Sequence, residues 1–113
     1  MSEKNKYEQA LELYNTTLDD AQVAAEVARI VNEKVPANDT PEVKKFLMGS
    51  IELTTLKTTD SDQSVMKFTQ RVNDFDNDYP QLPHVATICV YPRFAAVVSE
   101  TLQVEGVEVA CVS

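Results

Sequence analysis

The sequence has little glycine and little positive charge, and each shortage excludes a class of structure or partner. Only two of its 113 residues are glycine. Few turns can therefore require a positive φ, and helices should dominate. Ten basic residues stand against 18 acidic ones, for a formal net charge of -8. This charge argues against binding to a nucleic-acid backbone or an anionic membrane, both of which need clustered lysine and arginine.

The chain also has no apolar run long enough to span a bilayer and no basic-then-apolar N-terminus that would direct export. Its two cysteines, Cys89 and Cys111, are therefore expected to be reduced thiols in a cytoplasmic protein. A disulfide between them is feasible in geometry but disfavoured in that compartment. Hydrophobic residues make up 43% of the chain and charged residues 25%, which is the composition of a globular domain.

Residues 1–49 are predicted to form a helical lead-in. Asp19, with Gln22 three residues later, is a predicted N-cap, and Pro36 and Asn38 are expected to end the helix that follows. Apolar residues in that helix fall on one stripe, which is typical of an amphipathic helix. The three helices expected here cover about 4–15, about 20–34, and a short stretch from Thr40-Pro41 to Gly49.

Residues 50–113 are predicted to alternate strand and helix. Asp60 with Gln63 is a second predicted cap, and the acidic, proline-bounded stretch 74–83 is expected to be a loop. The expected order is a strand over Ser50–Leu56, a helix over about 61–76, a strand at His84–Val90, a helix over about 92–103, and a strand over Val107–Val112.

The second strand is a β-branched run with apolar residues on both alternations, which indicates a strand buried on both faces of a parallel sheet. Right-handed crossovers would set the three strands side by side with the helices on one face. Glu52 and Thr54 then lie on the other face, and Cys89 lies near a strand's carboxyl end, where chemistry collects in such sheets. This βαβαβ pattern is three-eighths of a (β/α)8 TIM barrel, and a complete barrel needs about 250 residues.

Two motifs resemble deoxyribose-phosphate aldolase. Leu53-Thr54-Thr55-Leu56 matches the family's first barrel strand, and Ile88-Cys89-Val90-Tyr91-Pro92-Arg93-Phe94 matches its second. Val109-Ala110-Cys111-Val112-Ser113 looks like the third, so the resemblance runs from about residue 44 to the end. It implies the N-terminal part of a TIM-barrel lyase of deoxyribonucleotide catabolism.

The resemblance implies a class I aldolase that cleaves 2-deoxyribose 5-phosphate to glyceraldehyde 3-phosphate and acetaldehyde. A neutral lysine forms a Schiff base with the substrate and the iminium acts as an electron sink, without a metal or other cofactor. The family draws that lysine, a second lysine and a relay aspartate from later strands. Glu52, Thr54 and Cys89 carry over only as residues that line the substrate pocket, where many relatives have aspartate at the first position. We therefore expect this chain alone to be inactive.

Plainer interpretations stand beside these. Cys89 is also consistent with a small core residue, and Glu52 with a solvated residue on an edge strand. Three parallel strands leave two open edges and a bare face, which predicts self-association or docking to the rest of a barrel. The alternative function is therefore a non-enzymatic assembly or interaction module. Asp74, Asp76 and Asp78 alternate as in a calcium loop but lack its glycine and its distal glutamate.

Overall fold

The structure, a computed structural model, describes residues 4–14 and 17–112. By its internal contacts the chain divides into two compact units, Met1–Asp39 and Thr40–Ser113. Among the described residues, no helix is both long and apolar enough to cross a membrane.

The first unit contains two N-capped helices, α1 (Lys6–Leu13) and α2 (Asp20–Asn38). The Asp19 side chain accepts a hydrogen bond from the Gln22 backbone, and the Gln22 side chain accepts one from Asp19 N in return, which confirms the predicted cap. Neither helix buries a residue. The predicted break between these helices falls partly on residues 15–16, outside the described residues.

Helix α2 ends at Asn38, one of the two residues predicted to end it, whereas Pro36 lies inside the helix. A proline so close to the C-terminus removes one backbone hydrogen-bond donor and leaves the rest of the helix intact. Two further bonds hold the last turn: Asp39 N donates to Val35 O at 2.9 Å, and Asn38 Nδ2 donates to Lys34 O at 2.8 Å.

The second unit begins with α3 (Pro41–Met48), which Thr40 caps and Gly49 closes as predicted. The remaining elements follow the predicted alternation of strand and helix. They are β1 (Glu52–Thr54), α4 (Asp62–Asp78), β2 (Thr87–Val90), a 3-10 turn (Pro92–Phe94), α5 (Ala95–Thr101) and β3 (Glu108–Cys111).

The three strands form one open parallel sheet in the order β1-β2-β3. Helices α4 and α5 contact each other, so both lie on the same face of the sheet. The core lies between that face and the helices, and burying each of its larger side chains contributes roughly 1.5–3 kcal/mol. It consists of Val65, Val72, Val85, Ile88, Val90, Phe94, Val98 and Val107. The α/β class and the parallel strands are confirmed.

Three local predictions were wrong. Ser61, not Asp60, caps α4, in a reciprocal pair with Ser64. Helix α4 then runs to Asp78, so residues 74–78 are helical rather than a loop. The apolar stripe of this helix ends at Phe75, and the last turn is helical although it is solvated. The predicted helix over 92–103 is a 3-10 turn followed by a shorter α-helix.

Candidate functional site

The three predicted site residues lie on the face of the sheet that the helices leave open. Ile88 and Val90 belong to the core, so Cys89 between them points to the opposite face. Thr54 pairs directly with Cys89 across β1 and β2, and Glu52 lies two residues before Thr54 on the same face. Since neighbouring strands are about 4.8 Å apart, the hydroxyl and the thiol are immediate neighbours.

The thiol is the buried member of this group. Cys89 is 7% exposed, whereas Glu52 and Thr54 are both exposed. Thr54 Oγ1 donates to Glu52 O at 3.1 Å, which orients the hydroxyl along its own strand. The face thus offers an exposed carboxylate, an oriented hydroxyl and a shielded thiol within two residues of the carboxyl ends of β1 and β2.

The loop after β1 is held by Asp60, which explains why this residue is not the cap of α4. Its Oδ2 accepts from Thr55 Oγ1 at 2.8 Å and from Lys57 N at 3.0 Å. Thr55 is itself buried. The carboxylate therefore fixes the path of the chain as it leaves β1, next to the candidate site.

The turn after β2 is tied to the same loop. Tyr91 Oη donates to Leu56 O at 3.3 Å, and Arg93 Nη2 lies 3.2 Å from Asp62 Oδ1. The Arg93 guanidinium also lies 4.6 Å from the centre of the Phe94 ring. Because the Arg93–Asp62 pair is exposed, it contributes little stability.

Two further polar residues on this face were missed by the sequence reasoning. Thr87 lies in register between Glu52 on β1 and Glu108 on β3. Its Oγ1 is buried and has no hydrogen-bond partner among the described residues. Glu108 is exposed, as Glu52 is. The only sequence signal for this row is strand alternation, which marks Thr87 two residues before Cys89.

A separate apolar groove of about 410 Å³ lies at the opposite end of the sheet, where the strands begin. Arg71 and His84 are its polar members. His84 precedes β2 and its Nδ1 lies 2.7 Å from Val85 O, so it is not adjacent to Cys89. The groove is lined by Met48, Ile51, Leu53, Phe68, Arg71, Val72, Phe75, His84 and Val85.

Cys89 and Cys111 are free thiols. Cys111 pairs in register with Val90, so the two sulfur atoms lie on opposite faces of the sheet. The described residues contain no cluster of three or more acidic, histidine or cysteine side chains that could hold a metal ion.

The lysines are poor candidates for a Schiff base. None lies on a strand, and every one is exposed, whereas a Schiff-base lysine needs an apolar pocket or a nearby cation to stay neutral. Lys57, three residues after Thr54, lies nearest to the site in sequence. The set comprises Lys4, Lys6, Lys34, Lys44, Lys45, Lys57 and Lys67.

Comparison with known proteins gives no match to a family model, to a curated protein or to a solved structure.

Proposed function

We propose that this chain supplies the first three strands of the barrel of a deoxyribose-phosphate aldolase, a cytoplasmic lyase. Its role is to line the substrate pocket rather than to provide the Schiff-base lysine. The pairing of Thr54 with Cys89 on the face away from α4 and α5 carries the proposal. In a closed (β/α)8 barrel this face is the lumen, and the active site lies at the carboxyl ends of the strands.

The chemistry of the face supports this role. Glu52 and Thr54 are exposed and offer hydrogen-bonding oxygens, while the Cys89 thiol is shielded and small enough to leave room for a substrate. In the proposed enzyme these groups contact the phosphosugar. The lysine that attacks its carbonyl comes from the later strands that complete the barrel.

The test combines this chain with a second polypeptide that carries the remaining strands of a deoxyribose-phosphate aldolase. We expect a complex that releases glyceraldehyde 3-phosphate from 2-deoxyribose 5-phosphate, and no activity from this chain alone. Borohydride should trap a substrate adduct only on the second polypeptide. An adduct on this chain would contradict the pocket-lining role.

A matched pair of cysteine variants identifies which face of the sheet lines the substrate pocket. Cys89→Leu fills the proposed pocket and should abolish activity of the complex, whereas Cys111→Leu, on the opposite face, should preserve it. Equal effects of the two substitutions would contradict the assignment of the lumen. Failure of the two polypeptides to form a complex would instead favour the alternative function.

That alternative is a non-enzymatic assembly module, and the open sheet favours it. β1 and β3 each pair with one neighbour among the described strands, so each leaves an edge of unpaired backbone groups. Light scattering should then show association of the second unit through these edges. A monomer at high concentration would count against this alternative.

A further inference from the structure

Strand β1 is short and lies at the edge of the sheet. It has three residues, Glu52–Thr54, and among the described strands it pairs with β2 alone. The last backbone bond of this pairing runs from Thr55 N to Cys89 O, at 3.0 Å. The end of such a strand opens readily, because few bonds have to break. Contacts beyond the strand pairing are therefore needed to keep Thr54 opposite Cys89.

One oxygen of the Asp60 carboxylate supplies such contacts. Its Oδ2 accepts a hydrogen bond from Thr55 Oγ1 at 2.8 Å and another from Lys57 N at 3.0 Å. In return, Asp60 N donates to Lys57 O at 3.1 Å, which closes residues 57–60 into a turn. Asp60 thus binds the chain on both sides of Leu56, directly after β1.

The burial of Thr55 makes its bond to Asp60 important. Thr55 is 7% exposed although its side chain ends in a hydroxyl, and a buried hydroxyl needs a partner. A carboxylate acceptor makes a stronger hydrogen bond than a neutral one. The adjacent Thr54 is exposed, and successive side chains of a strand point to opposite faces. One threonine therefore anchors the end of the strand while its neighbour lies in the candidate site.

We propose that Asp60 is a positioning residue for the candidate site: its carboxylate holds the end of β1 against β2, so that Thr54 stays opposite Cys89. It acts through Thr55, whose hydroxyl binds the carboxylate and whose backbone N–H binds Cys89 O. The inference rests on the proposed function only in assigning this face of the sheet to a substrate pocket.

Hydrogen exchange of single backbone amides tests the proposal on the whole chain. In the Asp60→Ala variant, Thr55 N–H should exchange at least about tenfold faster, because two hydrogen bonds to a carboxylate are lost beside it. The N–H of Ala86, which donates to Ile51 O at 2.9 Å at the other end of the β1–β2 pairing, should change by no more than about twofold. An equal increase at both amides would mean a general loss of stability and would overturn the proposal.

The reactivity of the Cys89 thiol gives a second readout, in a Cys111→Ser background that leaves Cys89 the only thiol. Opening the end of β1 exposes this buried thiol, so Asp60→Ala should speed its alkylation by iodoacetamide at least about tenfold. Asp60→Asn should restore the slow rate to within about threefold, because its amide oxygen can accept both hydrogen bonds. Asp62→Ala is the matched control, since Asp62 pairs with the exposed Arg93 and its loss should leave the rate unchanged.

Thr55→Val tests the same link if Asp60→Ala does not fold. It keeps the shape of the buried side chain and removes only the hydroxyl. It should also speed the alkylation of Cys89, and adding it to Asp60→Ala should have little further effect, because both substitutions break the same bond. An alkylation rate that neither substitution changes overturns the proposal, as does an Asp60→Asn variant that reacts as fast as Asp60→Ala.

These measurements need no aldolase activity, so they decide the proposal even if the proposed function is wrong. If the complex with the second polypeptide is active, Asp60→Ala should raise the KM for 2-deoxyribose 5-phosphate at least about fivefold with little change in kcat, because it disturbs binding rather than chemistry. Asp60→Asn should restore the KM. An unchanged KM in an active Asp60→Ala complex would overturn the role of Asp60 in the pocket.

Discussion

Replacing Asn73 by alanine measures how strongly one buried amide holds α4 to the end of α5. The Asn73 side chain is 1% exposed. Its Nδ2 donates to Thr101 O at 2.9 Å and its Oδ1 accepts from Gln103 N at 2.9 Å. These bonds satisfy both ends of the amide and link residues about thirty positions apart in the sequence.

The expected loss follows from these two bonds. Each hydrogen bond contributes about 1 kcal/mol net, and Gln103 is exposed enough for its freed N–H to bind water. The higher helix propensity of alanine offsets roughly 0.5 kcal/mol of this loss. The free energy of unfolding of Thr40–Ser113 should therefore fall by about 1.5 kcal/mol. Urea unfolding followed by NMR signals of β2 should show a midpoint lower by about 1 M.

Asn77→Ala is the matched control, because Asn77 is an exposed asparagine on the same helix. It should change stability by no more than about 0.5 kcal/mol, in the stabilising direction. Asn73→Asp keeps the acceptor for Gln103 N but places a buried carboxylate against Thr101 O, so it should destabilise more than alanine at neutral pH. If Asn73→Ala and Asn77→Ala behave alike, the amide bridge does not stabilise this unit.

Three further outcomes are expected. Ile88→Val should lower the free energy of unfolding by about 0.5–1.5 kcal/mol, measured by urea titration, because Ile88 is fully buried. Gly106→Ala should lower the free energy of unfolding by about 1–2 kcal/mol, because φ is 91° at this residue. The new Cβ would also lie 3.1 Å from His84 Nε2, so adding His84→Ala should remove only the loss due to that contact. The hydrogen bond from Arg29 lowers the pKa of Glu26 below its ordinary value. The stability from the Glu26–Arg29 pair is therefore present above the ordinary pKa of glutamate and is lost as the pH falls through the lowered pKa of Glu26 in the folded protein. NMR titration of the Arg29→Ala variant should show that the pKa of Glu26 rises.

Most of the fold follows from local signals in the sequence. Thr40 and Pro41 predict the start of α3, because the hydroxyl cap of Thr40 and the fixed φ of Pro41 act within one helical turn. The apolar run around Ile88 predicts a strand buried on both faces, and Ile88, Cys89 and Val90 are all buried. Such signals depend on neighbours within a few residues, so they survive without knowledge of the tertiary structure.

The errors have the opposite origin. Asp60 satisfies a cap pattern, yet its carboxylate binds Thr55 across the loop, and Ser61 takes the cap instead. Asn73 is a polar residue beside an apolar stripe, and only its distant partners on α5 and beyond explain why it is buried. The burial of the Thr87 hydroxyl is likewise not indicated by the sequence. The hydrogen bonding and burial of these residues depend on partners elsewhere in the chain. Hydropathy and residue spacing carry no information about those partners.

The charges on the open face of the sheet determine the kind of partner that this face accepts. Glu52 and Glu108 flank Thr87 on the open face of the sheet, so stacking this face on a second copy would bring four carboxylates together. Such like-charge contact disfavours association of identical faces and favours a partner with hydrogen-bond donors. Replacing both glutamates by glutamine should therefore strengthen any association of this face with a second copy, as measured by sedimentation equilibrium. A variant that associates no more strongly than the unchanged protein would mean that these carboxylates do not oppose stacking of the face.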